Sequence, residues 1–225
     1  MALRDLNDEQ LQAEFEQRYS QADISEFQDI QQVSFNQFKT AVNQDFSLIK
    51  GLTNQMQTFM GETLSTAVVS KWTPARLAQE LIAETESGKL SLNSGRDSLG
   101  RKLNLIHRAN TIARTELFRN KENTGINLAK EFDDKPVLVW ITSKDQSVRS
   151  IGSRPNFSKN HKLFDGAAKF LSEWVTTPGN PINCRCTQLT MSLEAFTDKF
   201  KKGLLPLVNP SRISTKLTQA LREAA

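Results

Sequence analysis

Pro136-Val-Leu-Val-Trp-Ile141 is an unbroken apolar run of β-branched, aromatic and Leu residues. Such a run, bounded by Pro136 and the polar residues after Ile141, reads as a buried strand. Around it the chain leaves helical periodicity. It passes Asp145 and Arg149, crosses a polar loop to His161 and Asp165-Gly166, and closes on Pro178-Gly-Asn-Pro-Ile-Asn-Cys-Arg-Cys186. Pro178 to Pro181 reads as a turn, and Cys184 to Leu189 as a returning strand. Lys162 to Glu173 reads as a short helix or turn. One strand that returns on another, set among helices, predicts an α+β protein with a small antiparallel sheet.

The flanks of this stretch are helical. Upstream, Leu103 to about Phe132 carries Leu105, Ile106, Ala109, Ile112, Ala113, Leu117, Ile126 and Leu128 at helical spacing. Gly125 lies within it, a position where a neighbouring strand can approach closely. Before that, Thr73 and Pro74 mark a helix start and Ser87-Gly88 its end. Asn7 or Asp8 caps a first helix to about Tyr19, with Leu11 and Phe15 on one face. From Asp23, a stripe of Phe35, Phe38, Val42, Phe46, Ile49, Leu52, Met56, Phe59, Thr63 and Ala67 recurs at steps of three and four. As one helix of about 45 residues it would be roughly 70 Å long, too long for a small domain to bury. It either folds back as a hairpin or lies against another chain, and Gly51 and Gly61 are candidate breaks. Downstream, Ser192 caps a helix to about Lys202, and Gly203 ends it. Ser211 to Ala225 reads as a detached amphipathic helix through Ile213, Leu217 and Leu221. The organisation expected is a helical arm over 1–70, a compact domain over 71–202 and an extended C-terminal tail over 203–225.

Composition narrows the class. The 225 residues are 38% hydrophobic and 24% charged, in the range of globular proteins rather than disordered ones. No apolar run reaches the roughly 20 residues of a membrane span, and Met1 to Glu9 lacks the apolar region of a secretion signal. The two cysteines are too close to staple a fold, which suits a reducing compartment. Residues 1–70 hold 4 basic and 10 acidic side chains, a balance of −6; residues 71–225 hold 25 and 15, a balance of +10. An acidic, Gln-rich arm and a basic body suggest two surfaces with different partners, the basic one near nucleic acid or simply solvated.

Three site readings compete. In the first, Arg114, Glu116, Asp145, Arg149 and Asn183 form a polar network that pins loops to the helix–strand core. Arg114 and Glu116 are two apart on a helix, so each needs a partner elsewhere, such as turn backbone groups, Asp145 or Arg149. In the second, Cys184 and Cys186 share one face of a strand and join His161 and Asp145 around a structural zinc; the alternative is two small buried thiols. In the third, Glu116, Asp145, His161 and Asp165 hold a divalent metal for phosphodiester hydrolysis. No nucleophile–base pair or phosphate loop accompanies them, so the network is the reading adopted, with no catalytic residue and no cofactor. His107, beside Arg108, reads as a surface or packing residue.

The ordered set Ile112-Ala-Arg-Thr-Glu116, Trp140-Ile-Thr142, Asp145, Val148-Arg149, His161-Lys-Leu-Phe-Asp-Gly166, Pro178-Gly-Asn-Pro181 and Asn183-Cys-Arg-Cys186 resembles the phage Mu F-type minor head protein family, the head-morphogenesis family of tailed bacteriophages. The resemblance covers roughly residues 72–190. Two departures stand out: Asp145-Gln-Ser-Val-Arg149 replaces an extra Cys-x-x-Cys of some members, and Ser150 to Asn160 lengthens the link to His161. The resemblance implies a virion protein, not an enzyme, that docks at or near the portal and assists head assembly and genome packaging or delivery. Its place would be the capsid interior or portal vertex, and the host cytoplasm during assembly. Its partners would be the portal protein and other head proteins, with weak, sequence-independent DNA contact and no membrane. The acidic arm is expected to make the protein contact. The alternatives are a metal-dependent nuclease or toxin-like enzyme on the same scaffold, and a DNA-binding adaptor.

Overall fold

The structure is a computed structural model and describes residues 2–21, 35–46, 49, 52–92, 104–142, 161–174, 177 and 186–224. Among these lie seven α-helices and a three-stranded antiparallel sheet, the α+β class expected from the sequence. The chain divides into two compact units, 1–121 and 122–225. The sequence reading set its boundaries at 70/71 and 202/203; the break in the structure falls within a helix. The reason is burial: both outer segments are absorbed into larger cores.

The N-terminal unit contains α1 (Asp8–Gln21), α2 (Phe35–Val42), α3 (Asn54–Val69), α4 (Pro74–Glu86) and the first part of α5 (Leu105–Phe132). Asn7 opens α1: its side-chain oxygen accepts from the Gln10 amide at 2.9 Å, and the Gln10 side chain accepts from the Asn7 amide at 3.1 Å. That reciprocal pair satisfies two donors which a helix start leaves over. Thr53 caps α3 and Thr73 caps α4, with Pro74 in the first turn. The stripe from Phe35 to Ala67 is not one long helix. It folds back, and α2 packs on α3. Gly61 does not break α3; a Cβ there would lie 3.1 Å from the Val42 carbonyl oxygen, so the glycine lets the two backbones approach. Gly51 lies outside the described residues.

The arm therefore buries its own stripe. Phe38, Phe46, Met60 and Leu64 are almost fully buried, in one core with Leu77 and Leu81 of α4 and Ala109 and Ala113 of α5. Phe15 of α1 meets the Phe38 ring at 5.5 Å. Among the described residues of the arm no large hydrophobic side chain is exposed. Half-buried Lys39 pairs with exposed Asp8 at 2.6 Å across α1 and α2.

In the C-terminal unit β1 (Val137–Ile141) is central, with β2 (Ala168–Phe170) and β3 (Thr187–Met191) on either side. Val139 faces Ala168 on one neighbour and Leu189 on the other. Alternation sends Val137 and Val139 to one face, into a core with Phe196 of α6 (Leu193–Lys201) and Leu217 of α7 (Thr215–Glu223). Leu138 and Trp140 go to the other face, with Ile126 of α5 and Cys186. Both faces are covered, which is why the run from Pro136 to Ile141 carries no polar residue.

Four expectations change here. The stretch from Lys162 to Glu173 contains a strand, β2, between two single 3-10 turns. β3 begins at Thr187, so Cys186 precedes it. Gly125 has nothing within 4 Å of a built Cβ, so among the described residues no strand approaches it. The tail is not detached: Val208 and Leu217 lie in the sheet's core, and Ile213 bridges in parallel to Ala168. Ser214 caps α7, donates its amide to the Ala168 carbonyl at 3.0 Å and its hydroxyl to Glu173 at 2.7 Å.

Candidate functional site

Strand β1 delivers Trp140, fully buried, to the face opposite α6 and α7. Five residues before the end of the following turn, His161 opens a 3-10 turn that stacks its ring edge-on against Trp140 at 5.2 Å. Phe164, from the same turn, meets Trp140 at 5.0 Å, and Trp174 meets it at 5.4 Å. Lys169 sits over the Trp174 ring at 4.9 Å, a cation on an aromatic face. Into this aromatic box comes Cys186, whose Sγ lies 3.5 Å from His161 Nδ1. His161 is 3% exposed and Cys186 2%. A sulfur and an imidazole nitrogen at that separation form an S–H···N contact when Nδ1 is the unprotonated nitrogen.

Asp165 closes the same turn onto the strand. Its Oδ1 accepts from the Thr142 amide at 3.1 Å and from the Thr142 hydroxyl at 2.9 Å. Arg212 donates to the Asp165 carbonyl at 2.9 Å. A carboxylate oxygen used in this way locks the turn to the end of the strand. Glu122, buried on α5, does similar work for β3: its Oε1 accepts from the Thr187 hydroxyl at 2.9 Å, and its carbonyl accepts from Gln188 at 2.7 Å.

In the N-terminal unit Glu116 is 2% exposed. Gln44 donates to its Oε2 at 2.7 Å and to its carbonyl at 3.1 Å. Arg119 donates to both carboxylate oxygens, at 3.1 and 3.4 Å. Desolvation pushes the Glu116 carboxyl above its ordinary range, while Arg119 and the Gln44 hydrogen bond pull the other way. Asn120, one residue further, donates to the Gln37 carbonyl at 3.2 Å. This cluster ties α5 to α2 and the turn after it.

The expected sites thus divide. The structure brings together His161 and Cys186, and bonds Asp165 to Thr142 at the end of β1. Glu116 is a network residue, but its partners among the described residues are Gln44 and Arg119. Arg114 is exposed on α5, and its expected network partners Asp145, Arg149 and Asn183 lie outside the described residues. His107 is exposed. Asp145, Arg149, Asn183 and Cys184 lie outside the described residues. Among the described residues no three His, Cys, Asp or Glu side chains gather where a metal ion could sit; His161 and Cys186 alone would offer two ligands.

Sequence reasoning missed Arg119, Gln44, Glu122 and Trp174. For Arg119 the signal was present, because Glu116 and Arg119 are three apart, the spacing at which helical side chains meet. Gln44 is 72 residues from Glu116 in sequence, and nothing in a Gln at that position announces the contact. No family model matches this sequence, and no curated protein and no solved structure matches it.

Proposed function

We propose that the chain is a minor head protein of a tailed bacteriophage, docking at or near the portal and assisting head assembly and genome packaging or delivery. The reading rests on the ordered motifs that resemble the Mu F-type family. One observation supports it most. Several of the motif residues that the structure describes are turned inward and used on the chain itself: Glu116 on Gln44 and Arg119, Trp140 on His161, Thr142 on Asp165, Cys186 on His161. Such a set locks a fold and suits a structural component. A hydrolytic centre needs its carboxylates and imidazole within reach of a solute, and His161 and Glu116 are sealed at 3% and 2% exposure.

Among the described residues no helix is long and apolar enough to cross a membrane. The positive balance of residues 71–225 favours a weak, sequence-independent attraction to packaged DNA, which added salt would release. The test is co-expression with the portal protein of the same genome, followed by sedimentation of assembled heads. Co-sedimentation of the chain with portal-containing particles in a few copies is expected. A chain that stays soluble beside complete heads, or that cleaves DNA in a manner lost in Glu116→Ala, would overturn the proposal.

A further inference from the structure

Trp140 Nε1, Gln188 Oε1 and Thr190 Oγ1 are buried, and each lacks a hydrogen-bond partner among the described residues. The register places them on one face of the sheet. Gln188 lies directly opposite Trp140, and Thr190 opposite Leu138. Residues paired across antiparallel strands share a face. Both side chains therefore join Leu138 and Trp140 on the side that Ile126 and Cys186 also line. The Trp140–Gln188 pair is moreover of the close kind. The Trp140 amide donates to the Ala167 carbonyl, and the Trp140 carbonyl accepts from the Gly166 amide, each at 2.9 Å. Both bonds run to the chain leading into β2, away from β3. In such a non-hydrogen-bonded pair the two Cα atoms stand only about 4.5 Å apart.

The polar atoms are also fixed in role. Gln188 Nε2 donates to the Glu122 carbonyl of α5 at 2.7 Å, which leaves Oε1 as an acceptor. Trp140 is fully buried, and an indole N–H can only donate. A threonine hydroxyl can do either. A buried polar group left dry loses its hydration uncompensated, and folded proteins leave few in that state. Three of them at neighbouring positions on one sheet face call for a common partner.

We infer that an ordered water molecule is built into this face, accepting from Trp140 Nε1–H and donating to Gln188 Oε1 and Thr190 Oγ1. The mixed chemistry selects the ligand. A metal ion would meet an N–H with no lone pair to give. An anion would meet the lone pairs of the Gln188 carboxamide oxygen. Water accepts and donates, and about three bonds to otherwise unpaired groups is its usual complement in a protein interior. There it ties central β1 to β3 through Trp140, the residue that also carries the His161 and Phe164 rings. The inference is independent of any docking partner.

The test uses the full-length chain, with water itself as the probe in nuclear magnetic resonance. In the wild type the Trp140 indole proton should show a rotating-frame cross-peak to the water resonance. Its sign should be that of dipolar contact, opposite to proton exchange. The peak should survive in Thr190→Val, where Trp140 and Gln188 still hold the water. Absence of the peak from wild type would overturn the inference. So would its loss in Thr190→Val, because the hydroxyl proton would then be its source. The thermal midpoint of the same variant decides by its sign. Valine resembles threonine in shape and suits a strand. In a dry face it would remove an unpaired hydroxyl and leave the midpoint unchanged or raised. With the water in place it breaks one of the water's bonds, and the midpoint should fall by about 4–8 °C. An unchanged or raised midpoint would overturn the inference.

Discussion

Glu116 shows how a buried carboxyl can carry information about pH. Burial holds its carboxyl above the ordinary 4.5, with Arg119 and Gln44 opposing. A group with a raised folded value binds its proton more tightly folded than unfolded. Its stabilising contribution is therefore full below the ordinary value and is lost as pH rises through the folded one. The N-terminal unit should lose stability as pH rises across that window, and Glu116→Gln should remove this segment of the profile. Urea midpoints taken at successive pH values would show it; parallel profiles for both proteins would mean that the carboxyl is not held as described. His161 poses a different question, because imidazole and thiol together suit either packing or zinc. The sealed aromatic box around it favours packing. His161→Ala should cost about 2–4 kcal/mol, the usual range for emptying a core position, and a chelator should leave the wild-type Tm where it was. A Tm that falls on chelation would make the clasp a metal site.

Elements with a chemical signature at their ends were legible from sequence. Thr73-Pro74, Ser192 and Ser87-Gly88 each do in the structure what their residue types are suited to do. So was β1, because a strand covered on both faces cannot hide its apolar run. What escaped reading was set by distant packing. The stripe from Phe35 to Ala67 keeps its period through a fold-back, since both α2 and α3 turn the same face to a common core. β2 is three residues long, Ala168-Lys-Phe170, too short to show alternation, and exists because β1 supplies its hydrogen bonds. Gly166 links these two cases. It is recognisable as a turn after Asp165, yet its second duty, making room for Leu207 and Asn209, is invisible without the tail in place. With φ at +72° and backbone atoms within 3 Å of a built Cβ, Gly166→Ala should destabilise the C-terminal unit by about 2 kcal/mol or more. Chemical unfolding followed by circular dichroism would measure it, and a loss under about 0.5 kcal/mol, the scatter of ordinary surface changes, would mean that the tail yields to the methyl group.

At the scale of the molecule, the segment from 203 to the end completes the core on one face of the sheet. Val137, Val139, Ala168 and Phe196 share their cluster with Val208 and Leu217, and Leu205, Ile213 and Leu221 pack against it. The same segment adds a parallel bridge at Ile213 and the Arg212 bond to the Asp165 carbonyl. A sequence reader sees three prolines and glycines after Lys202 and infers an appendage, because the apolar residues are spaced between turns and show no period until Ser214. The structure makes the segment one side of the core, and the two views differ in what truncation does. Ending the chain after Lys202 would bare one face of β1 to water, a loss comparable to removing several core side chains at about 1.5–3 kcal/mol each. That exceeds what a unit of this size is expected to hold in reserve. The truncated protein should bind a hydrophobic dye, lose cooperative unfolding in the C-terminal unit, and shift the emission of Trp140 and Trp174 to the red as their box opens. An appendage would leave all three readings at wild-type values.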